Sequence, residues 1–397
     1  MDLLGDHIII QKGRLPGNLS SERTSQFHMP YVDIKAFEKG IVERYTDGDK
    51  SVLCDEGEVI IVWDGARCGY VGKAIKGALG STLALIRPKP NLTKEYLYYY
   101  LKSRFTIFNT QVKGMGIPHL NPFIIHHSSF IIPPLPEQHR IVAKIEELFS
   151  DLDDGITSLK KAREQLKVYR QSVLKWAFEG RLTNEDVKDG ELPEGWKWKR
   201  LSSLAVINPK LPFSNIHDNI EVTFLPMKLV EEEKNLIHLT EVRRYKEVKK
   251  GFTPMTDGDV IFAKITPCME NGKIAVIHSL VNKIAFGSTE FHVIRCSNVL
   301  NNNYLFYYLV QERIRKTAQQ EMTGAVGQKR VPKRVLEEVD IPHCTFDEQT
   351  CIVHEIESRF SVADNLEQSI NESLQQAEAL RQSILKRAFE GKLVNND

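Results

Sequence analysis

The chain has 397 residues, 42% of them apolar and 26% charged, which is typical of a globular protein with two or more domains. Its formal net charge of +1 excludes neither binding nor catalysis, but the six cysteines form no C-x-x-C pair and no His/Cys cluster at zinc spacing. No apolar run approaches membrane-spanning length and no signal peptide opens the chain. These features predict a cytoplasmic protein with reduced thiols.

Residues 1–133 predict a mixed α/β domain. Short β-branched runs bounded by turn residues are typical of strands, and a tyrosine-rich run after Pro90 is typical of a helix. The elements are strands at 59–63, 83–86 and 130–132, a helix from Tyr96 to about Phe108, and a glycine-containing loop at 113–119.

Residues 134–183 predict one long helix. Apolar side chains recur every three or four positions from Ile141 to Ala177, which gives the helix a narrow apolar stripe. Gly180 stands where a left-handed residue is expected to end it. Such a helix is too long for one small core to cover.

The second half of the chain repeats the first. Residues 184–343 carry the same order of strands, aromatic helix and glycine-containing loop, and residues 344–397 predict a second long helix ending at Gly391. Gln349 follows Gln138 by 211 residues (349 − 138), and Gly391 follows Gly180 by the same number (391 − 180). The predicted fold is therefore α+β, a tandem pseudo-repeat of domain and helix. Each stripe is the natural partner of the other, in an intramolecular coiled coil.

The two repeats differ at the start of their domains. The opening segment of the second domain, residues 192–200, has no counterpart ahead of Met1.

Patterns typical of catalysis are missing from the sequence. It has no G-x-x-x-x-G-K-[ST] loop and no G-x-G-x-x-G motif after a strand. The tripeptide at 121–123 is better interpreted as a turn than as part of a methyltransferase motif. Glu247 and Lys249 lie in a charge-rich run that is better interpreted as solvated surface than as a nuclease motif. We therefore expect no catalytic, cofactor-binding or metal-binding residues in this chain.

Basic residues cluster after the aromatic helices, where the sequence predicts DNA contacts. Residues 190–343 hold 22 Lys and Arg against 18 Asp and Glu, whereas 344–397 hold 5 against 10. Arg and Lys bind guanine O6/N7 or phosphate, and Gln pairs with adenine. The alternative is a solvated basic loop. The candidates are Arg67, Lys113, His119, Asn121, Lys264, Gln328, Lys329, Arg330, Lys333 and Arg334.

The repeated helix carries a family resemblance. Pro136-Glu137-Gln138 leads into a helix that ends with the sequence from Leu174 to Leu182, and the same signature recurs from Glu348 to Leu393. Together with the opening at 192–196, this resembles the specificity subunit of type I restriction–modification enzymes over essentially the whole chain.

The resemblance implies two target recognition domains, each reading one half of a bipartite sequence in double-stranded DNA, and two antiparallel helices. It implies two methyltransferase (modification) subunits bound to the helices, with S-adenosylmethionine, and motor-nuclease (restriction) subunits with ATP and magnesium. Candidate methyltransferase contacts are Trp176, Phe178, Arg387 and Phe389. The competing interpretations are a stand-alone DNA methyltransferase, a nuclease accessory protein and a purely structural coiled-coil protein.

Overall fold

The computed structural model describes residues 2–114, 116–184, 186–188, 191–212, 215–325 and 327–394. The chain forms two compact units, which are residues 1–160 with 371–397, and residues 161–370. Each unit holds one domain and parts of both long helices. Within the part of the chain described, no helix is long and apolar enough to cross a membrane.

The first domain is built on two four-stranded sheets and a two-stranded pair. The sheets have the orders β2-β9-β6-β7 and β4-β3-β8-β5, and β1 pairs with β10. Among the strands that the structure describes in this domain, β3 and β8 form the one parallel pair. The strands are β1 (Asp2–Leu3), β2 (Ile8–Lys12), β3 (Met29–Val32), β4 (Tyr45–Thr46), β5 (Leu53–Cys54), β6 (Val59–Val62), β7 (Val71–Lys73), β8 (Gly77–Leu79), β9 (Leu83–Pro88) and β10 (Ser129–Phe130).

The described residues of the first repeat also form five α-helices, and a short 3-10 helix covers Leu4–His7. They are α1 (Ile34–Lys39), α2 (Lys94–Ser103), α3 (Phe105–Thr110), α4 (Pro122–His126) and α5 (Leu135–Phe178). The predicted aromatic helix is two helices, because the chain leaves helical geometry at Arg104 (φ −98°, ψ 1°).

Strand β6 is buried on both faces, which explains its unbroken β-branched sequence. Val59 and Ile61 belong to a core shared with α2 and α5. Ile60 and Val62 belong to the core between the two sheets. Side chains alternate along a strand, so a strand packed on both sides is apolar at every position.

Two tyrosines of α2 tie the helix to the last strand. Tyr96 donates from its hydroxyl to Ile131 O (3.1 Å), and Tyr100 donates to Ser129 O (2.9 Å). Both rings are almost fully buried and contact Phe389 at 5.1 and 5.3 Å between centroids. Both tyrosines are therefore core residues of the first unit.

The second domain repeats this frame strand for strand. Its sheets have the orders β12-β19-β16-β17 and β14-β13-β18-β15, and β11 pairs with β20. The parallel pair is β13 and β18. The strands are β11 (Lys197–Arg200), β12 (Ala205–Ile207), β13 (Glu221–Leu225), β14 (Val242–Arg244), β15 (Thr253–Thr256), β16 (Val260–Ala263), β17 (Ile274–Val276), β18 (Ile284–Gly287), β19 (Phe291–Cys296) and β20 (Asp340–His343).

Its helices also follow the first repeat in order. They are α6 (Leu201–Leu204), α7 (Tyr245–Val248), α8 (Asn302–Leu309), α9 (Glu312–Gln320), α10 (Lys333–Glu337) and α11 (Phe346–Phe389), with 3-10 helices at Met227–Leu229 and Val281–Lys283. Tyr304 donates to Pro342 O (2.7 Å) and Tyr308 donates to Asp340 O (2.6 Å), as Tyr96 and Tyr100 do in the first domain.

The end of the first long helix belongs to the core of the second unit. Phe178 is 1% exposed, and its ring lies 4.9 and 5.0 Å from the rings of Tyr304 and Tyr308. It is therefore buried within its own unit, and its role as a docking residue stays a prediction. Phe389 is half-buried in the corresponding position of the first unit, whereas Trp176 is 38% exposed.

The helices run antiparallel within each unit. In the second unit, the Arg170 guanidinium pairs with Asp364 (2.7 Å) and lies over the Phe360 ring (5.3 Å). In the first unit, Arg381 pairs with Asp153 and lies over the ring of Phe149 (5.2 Å). The residue later in α5 (Arg170) thus contacts residues earlier in α11, and residues earlier in α5 contact the residue later in α11 (Arg381). The two sets of contacts are equivalent, because Arg381 follows Arg170 by 211 residues (381 − 170).

The apolar stripes pack partly on the domains. Ile141, Ile145 and Phe149 belong to one core with Tyr96 and the end of α11. Each helix has 44 residues and is followed by a glycine in the left-handed region, Gly180 (φ +78°) or Gly391 (φ +71°). The predicted helices and their stop signals are confirmed.

Candidate nucleic-acid interface

The same loop stands after the aromatic helices of both domains. We name residues 113–119 the first hairpin loop and residues 323–330 the second hairpin loop; Met115 and Val326 lie outside the described residues. Each loop is closed by two backbone hydrogen bonds, between Lys113 and His119 (both 2.8 Å) and between Thr323 and Arg330 (3.0 and 2.8 Å).

Both loops are anchored to the domain in the same way. In the first, Gly65 N donates to Pro118 O (2.8 Å) and Leu120 N donates to Trp63 O (2.8 Å). In the second, Thr266 N donates to Lys329 O (3.1 Å) and Val331 N donates to Lys264 O (2.8 Å). The hydrogen bonds therefore match Pro118 with Lys329 and His119 with Arg330.

A glycine with positive φ follows the first closing residue in each loop. Gly114 has a φ of +100° and Gly324 a φ of +123°. A Cβ atom would lie 2.7 Å from Ile117 O at Gly114 and 2.9 Å from Gln328 O at Gly324. Both positions therefore require glycine, for conformation and for space.

In the first loop, the closing residue is held by a carboxylate. His119 Nδ1 lies 2.6 Å from Asp64 Oδ1, and Lys12 Nζ lies 2.8 Å from Asp64 Oδ2. Burial raises the pKa of the Asp64 carboxyl, but hydrogen bonds from Lys12 and His119 outweigh it and hold that pKa below its usual value. The carboxylate is therefore ionised at neutral pH and fixes the imidazole.

In the second loop, Arg330 takes the place of His119. Its Nε and Nη2 donate to the two carboxylate oxygens of Glu290 (2.9 and 2.8 Å), and its Nη1 donates to Gln328 O (3.0 Å). The hydrogen bond from Arg330 lowers the pKa of Glu290, and burial offsets this only in part. The guanidinium fork is occupied by a carboxylate, so the side that would pair with guanine is already used.

Other predicted residues also have partners inside the domain. Arg334 pairs with Glu321 (3.0 Å), Lys333 pairs with Glu337 (2.7 Å), and Arg67 pairs with Glu38 (2.5 Å) while lying over the Tyr70 ring (4.4 Å). Asn121 caps α4 by accepting from Phe123 N (3.2 Å). Lys264 is half-buried beneath the second hairpin loop.

Three of the predicted contact residues at the loops are exposed without a side-chain partner in the part of the chain described. Lys113, Gln328 and Lys329 face solvent, and in the ranges described no side-chain hydrogen bond or ion pair holds them. Ile117, which is apolar, is also exposed (63%). We did not predict Ile117, Asp64 or Glu290 as parts of the site. The signal for Glu290 is weak, since it is one carboxylate after the Gly287-Ser288-Thr289 turn.

Among the residues that the structure describes, no group of three or more His, Cys, Asp and Glu side chains is placed to hold a metal ion. The fold and the loops define the class of protein. It is a duplicated α+β chain in which each of two domains with the same strand order presents one surface loop.

Comparison with known proteins identifies the family. A family profile described as "Type I restriction modification DNA specificity domain" matches residues 4–167 and 193–376. The chain therefore belongs to the type I restriction–modification DNA specificity domain family.

Curated relatives agree with this assignment. The chain is 37% identical over 236 residues to the type I restriction enzyme EcoAI specificity subunit of Escherichia coli, covering 59% of this chain and 40% of that one. It is 24% identical to the type I restriction enzyme MjaVIII specificity subunit of Methanocaldococcus jannaschii over 98% of this chain and 92% of that one. The matched region thus spans about 40% of the length of the Escherichia coli relative.

Solved structures share the fold. A chain from a structure reported for complex assembly and conformational transition of the type I R-M system has a TM-score of 0.72 at 20% identity, with 98% of this chain and 97% of that chain covered. The HsdS subunit from Thermoanaerobacter tengcongensis has a TM-score of 0.55 at 20% identity, with 98% and 96% covered.

Proposed function

We propose that this chain is the DNA-recognition (specificity) subunit of a type I restriction–modification complex. It reads a bipartite target in double-stranded DNA, with one half-site for each domain. The observation that carries this proposal is the pair of hairpin loops, which share backbone anchors but present different side chains. Two domains of the same fold that carry loops with different side chains are suited to reading two different DNA sequences.

The DNA-facing surface comprises the two loops and nearby cations. Lys113 and Lys264 supply positive charge for phosphate contacts, which position a protein on DNA, while base contacts specify the sequence. Arg67, Arg334 and Lys333 already pair with carboxylates, so they contribute less net charge to DNA. Asn121 acts as a helix cap beside the first loop.

The helices dock two methyltransferase subunits in this proposal. Support comes from apolar side chains that the helices leave exposed in each unit. In the second unit Trp176 is 38%, Tyr169 37% and Val362 58% exposed, and in the first unit Leu380 is 50% exposed beside Arg387. Exposed aromatic and apolar side chains of this kind mark protein interaction surfaces.

Catalysis belongs to the partner subunits in this proposal. S-adenosylmethionine is held by the methyltransferase subunits, and ATP and magnesium by motor-nuclease subunits. This chain supplies specificity and assembly, and it has no turnover of its own.

The test is selection of DNA by the full chain. The chain, co-expressed with the methyltransferase subunits of its complex, is incubated with a library of duplexes containing a random segment, and bound DNA is sequenced. We expect enrichment of two short motifs at a fixed distance, and no methylation by the chain purified alone. Enrichment of the same motifs by the methyltransferase subunits without this chain would contradict the proposal and favour an accessory role. Methylation by the isolated chain would also contradict it and favour a stand-alone enzyme.

A further inference from the structure

The residues that close the two hairpin loops are clamped rather than free. The Nε and Nη2 donors of Arg330 are directed at Glu290, and His119 is held by Asp64. A side chain that donates its paired hydrogens to a carboxylate cannot offer the same pair to a base. Arg330 and His119 therefore hold the shape of the loops.

The positions just before the clamped residues are presented outward. Backbone hydrogen bonds to Pro118 O and Lys329 O fix these positions on the turn at residues 65 and 266. Counting back from the clamp, Ile117 matches Gln328 and Pro118 matches Lys329. The first loop thus exposes Ile117 beside the half-buried Pro118, and the second exposes an amide and an ammonium group.

The two pairs differ in the base edges that they complement. In the major groove, a glutamine pairs with the N6 and N7 groups of adenine, a lysine binds guanine O6/N7, and an apolar side chain contacts the thymine methyl group. A solvent-exposed isoleucine gains by burying against that methyl group.

We infer that Ile117 reads a thymine methyl group in one half-site and that Gln328 and Lys329 read purine N7 edges in the other, while Arg330 is a positioning residue. This inference rests on the proposed function and assigns the bases read at these two places. The assignment also explains why Arg330, the most basic group of its loop, is paired with Glu290. Because this pair fixes the loop, Gln328 and Lys329 are held in one orientation.

The experiment uses base analogues in the duplex selected by the full chain with its methyltransferase subunits. Uracil in place of each thymine removes one methyl group, and 7-deaza-purines remove one N7 acceptor. We expect uracil at one position of the first half-site to weaken binding about fourfold. We expect 7-deaza-purine at one position of the second half-site to weaken it about tenfold.

The variants assign each loss to a residue. With Ile117→Ala the thymine and uracil duplexes bind equally, and with Gln328→Ala or Lys329→Ala the 7-deaza and ordinary duplexes bind equally. Ile9→Ala and Lys161→Ala, which remove exposed side chains outside the loops, keep the full analogue effects. Analogue effects that survive in the loop variants overturn the inference.

Arg330 is tested through its partner. If Arg330 only positions the loop, Glu290→Ala reproduces the loss of second-half-site selectivity caused by Arg330→Ala and leaves the first half-site unchanged. Selectivity retained in Glu290→Ala but lost in Arg330→Ala makes Arg330 a base reader and contradicts the assignment. Failure to select any two-part motif instead overturns the proposed function, so the two failures are distinct.

Discussion

At the residue scale, a buried glutamine joins each long helix to its domain. Gln138 Oε1 accepts from Thr93 N (2.8 Å), and its Nε2 donates to Asn91 O and Pro133 O (both 2.9 Å). Gln349 does the same with Asn301 N (2.8 Å), Val299 O and Cys344 O (both 3.0 Å). Both side chains are fully buried. Every polar atom of the amide thus satisfies a backbone group at the domain–helix junction.

We predict that Gln349→Leu destabilises the chain by about 3 kcal/mol, because it leaves three buried backbone groups without partners. Urea denaturation measures the change in the free energy of unfolding. Gln376→Leu, at an exposed glutamine on the same helix, is the matched control and should change stability little. Equal effects of the two substitutions would mean that the amide contacts do not hold the junction.

His292 gives the second domain a pH dependence. Its Nε2 lies 2.8 Å from Val331 O, and its Nδ1 accepts from Asn208 Nδ2 (3.1 Å), so the buried ring is neutral. Burial lowers the pKa of His292 below 6.5, and the hydrogen bond to Val331 offsets this only in part.

A lowered folded-state pKa means that the unfolded chain takes up the proton first as pH falls. The stabilisation is therefore complete above the unfolded value of about 6.5 and is lost progressively as pH falls towards the folded value. We predict that the free energy of unfolding falls between pH 7 and 5 more steeply in the natural chain than in His292→Gln. Parallel pH profiles would contradict a neutral buried His292.

At the scale of elements, the last turn of each long helix packs on a domain. We predict that Phe178→Ala lowers the free energy of unfolding by about 3–5 kcal/mol, the usual result of emptying a buried aromatic site. Trp176→Ala, two positions earlier but 38% exposed, should lower the free energy of unfolding by less than about 2 kcal/mol. A larger stability loss from Trp176→Ala than from Phe178→Ala would contradict the packing.

The same variant tests the docking proposal. If Trp176→Ala abolishes co-purification of methyltransferase subunits while the chain stays folded, the docking proposal gains support.

The elements were predictable from the sequence where periodicity was long. The stripes from Ile141 and Ile352 and the glycines at 180 and 391 predict both helices, and the constant offset of 211 (391 − 180) predicts the duplication. The sequence does not predict which core buries Phe178. An apolar residue in a helical stripe can pack either on another helix or on a domain, and the periodicity is the same in both cases.

The loops were predictable in place but not in detail. Glycine and basic residues marked both hairpin loops, yet the charge count could not tell clamped from free cations. Glu290 and Arg330 are 40 residues apart in sequence (330 − 290), and only the tertiary structure brings them to 2.8 Å. Sequence composition therefore could not show that Arg330 is paired with Glu290 or that Ile117 is exposed.

At the scale of the whole molecule, the proposal makes the helices a ruler. We predict that four residues inserted in α5 between Asp153 and Arg170, together with four in α11 between Asp364 and Arg381, lengthen the spacer between the half-sites by ~1–2 base pairs, because each insertion adds about one helical turn or ~5.4 Å. Both half-site sequences should stay unchanged. The same insertion between Asp49 and Lys50, in an exposed turn, is the control and should leave the spacer as it was. An altered half-site with an unaltered spacer would show that the helices do not set the distance.

The central claim is that this chain reads two half-sites, one with each domain. Sequencing of methylated bases in cells that express the chain with its methyltransferase subunits tests it most directly, with Gln328→Ala/Lys329→Ala beside the natural chain. We predict a target of two short, unlike half-sites at a fixed spacing, and in the double variant relaxed sequence at one half-site only. A continuous target, or simultaneous relaxation of both half-sites, would contradict the claim.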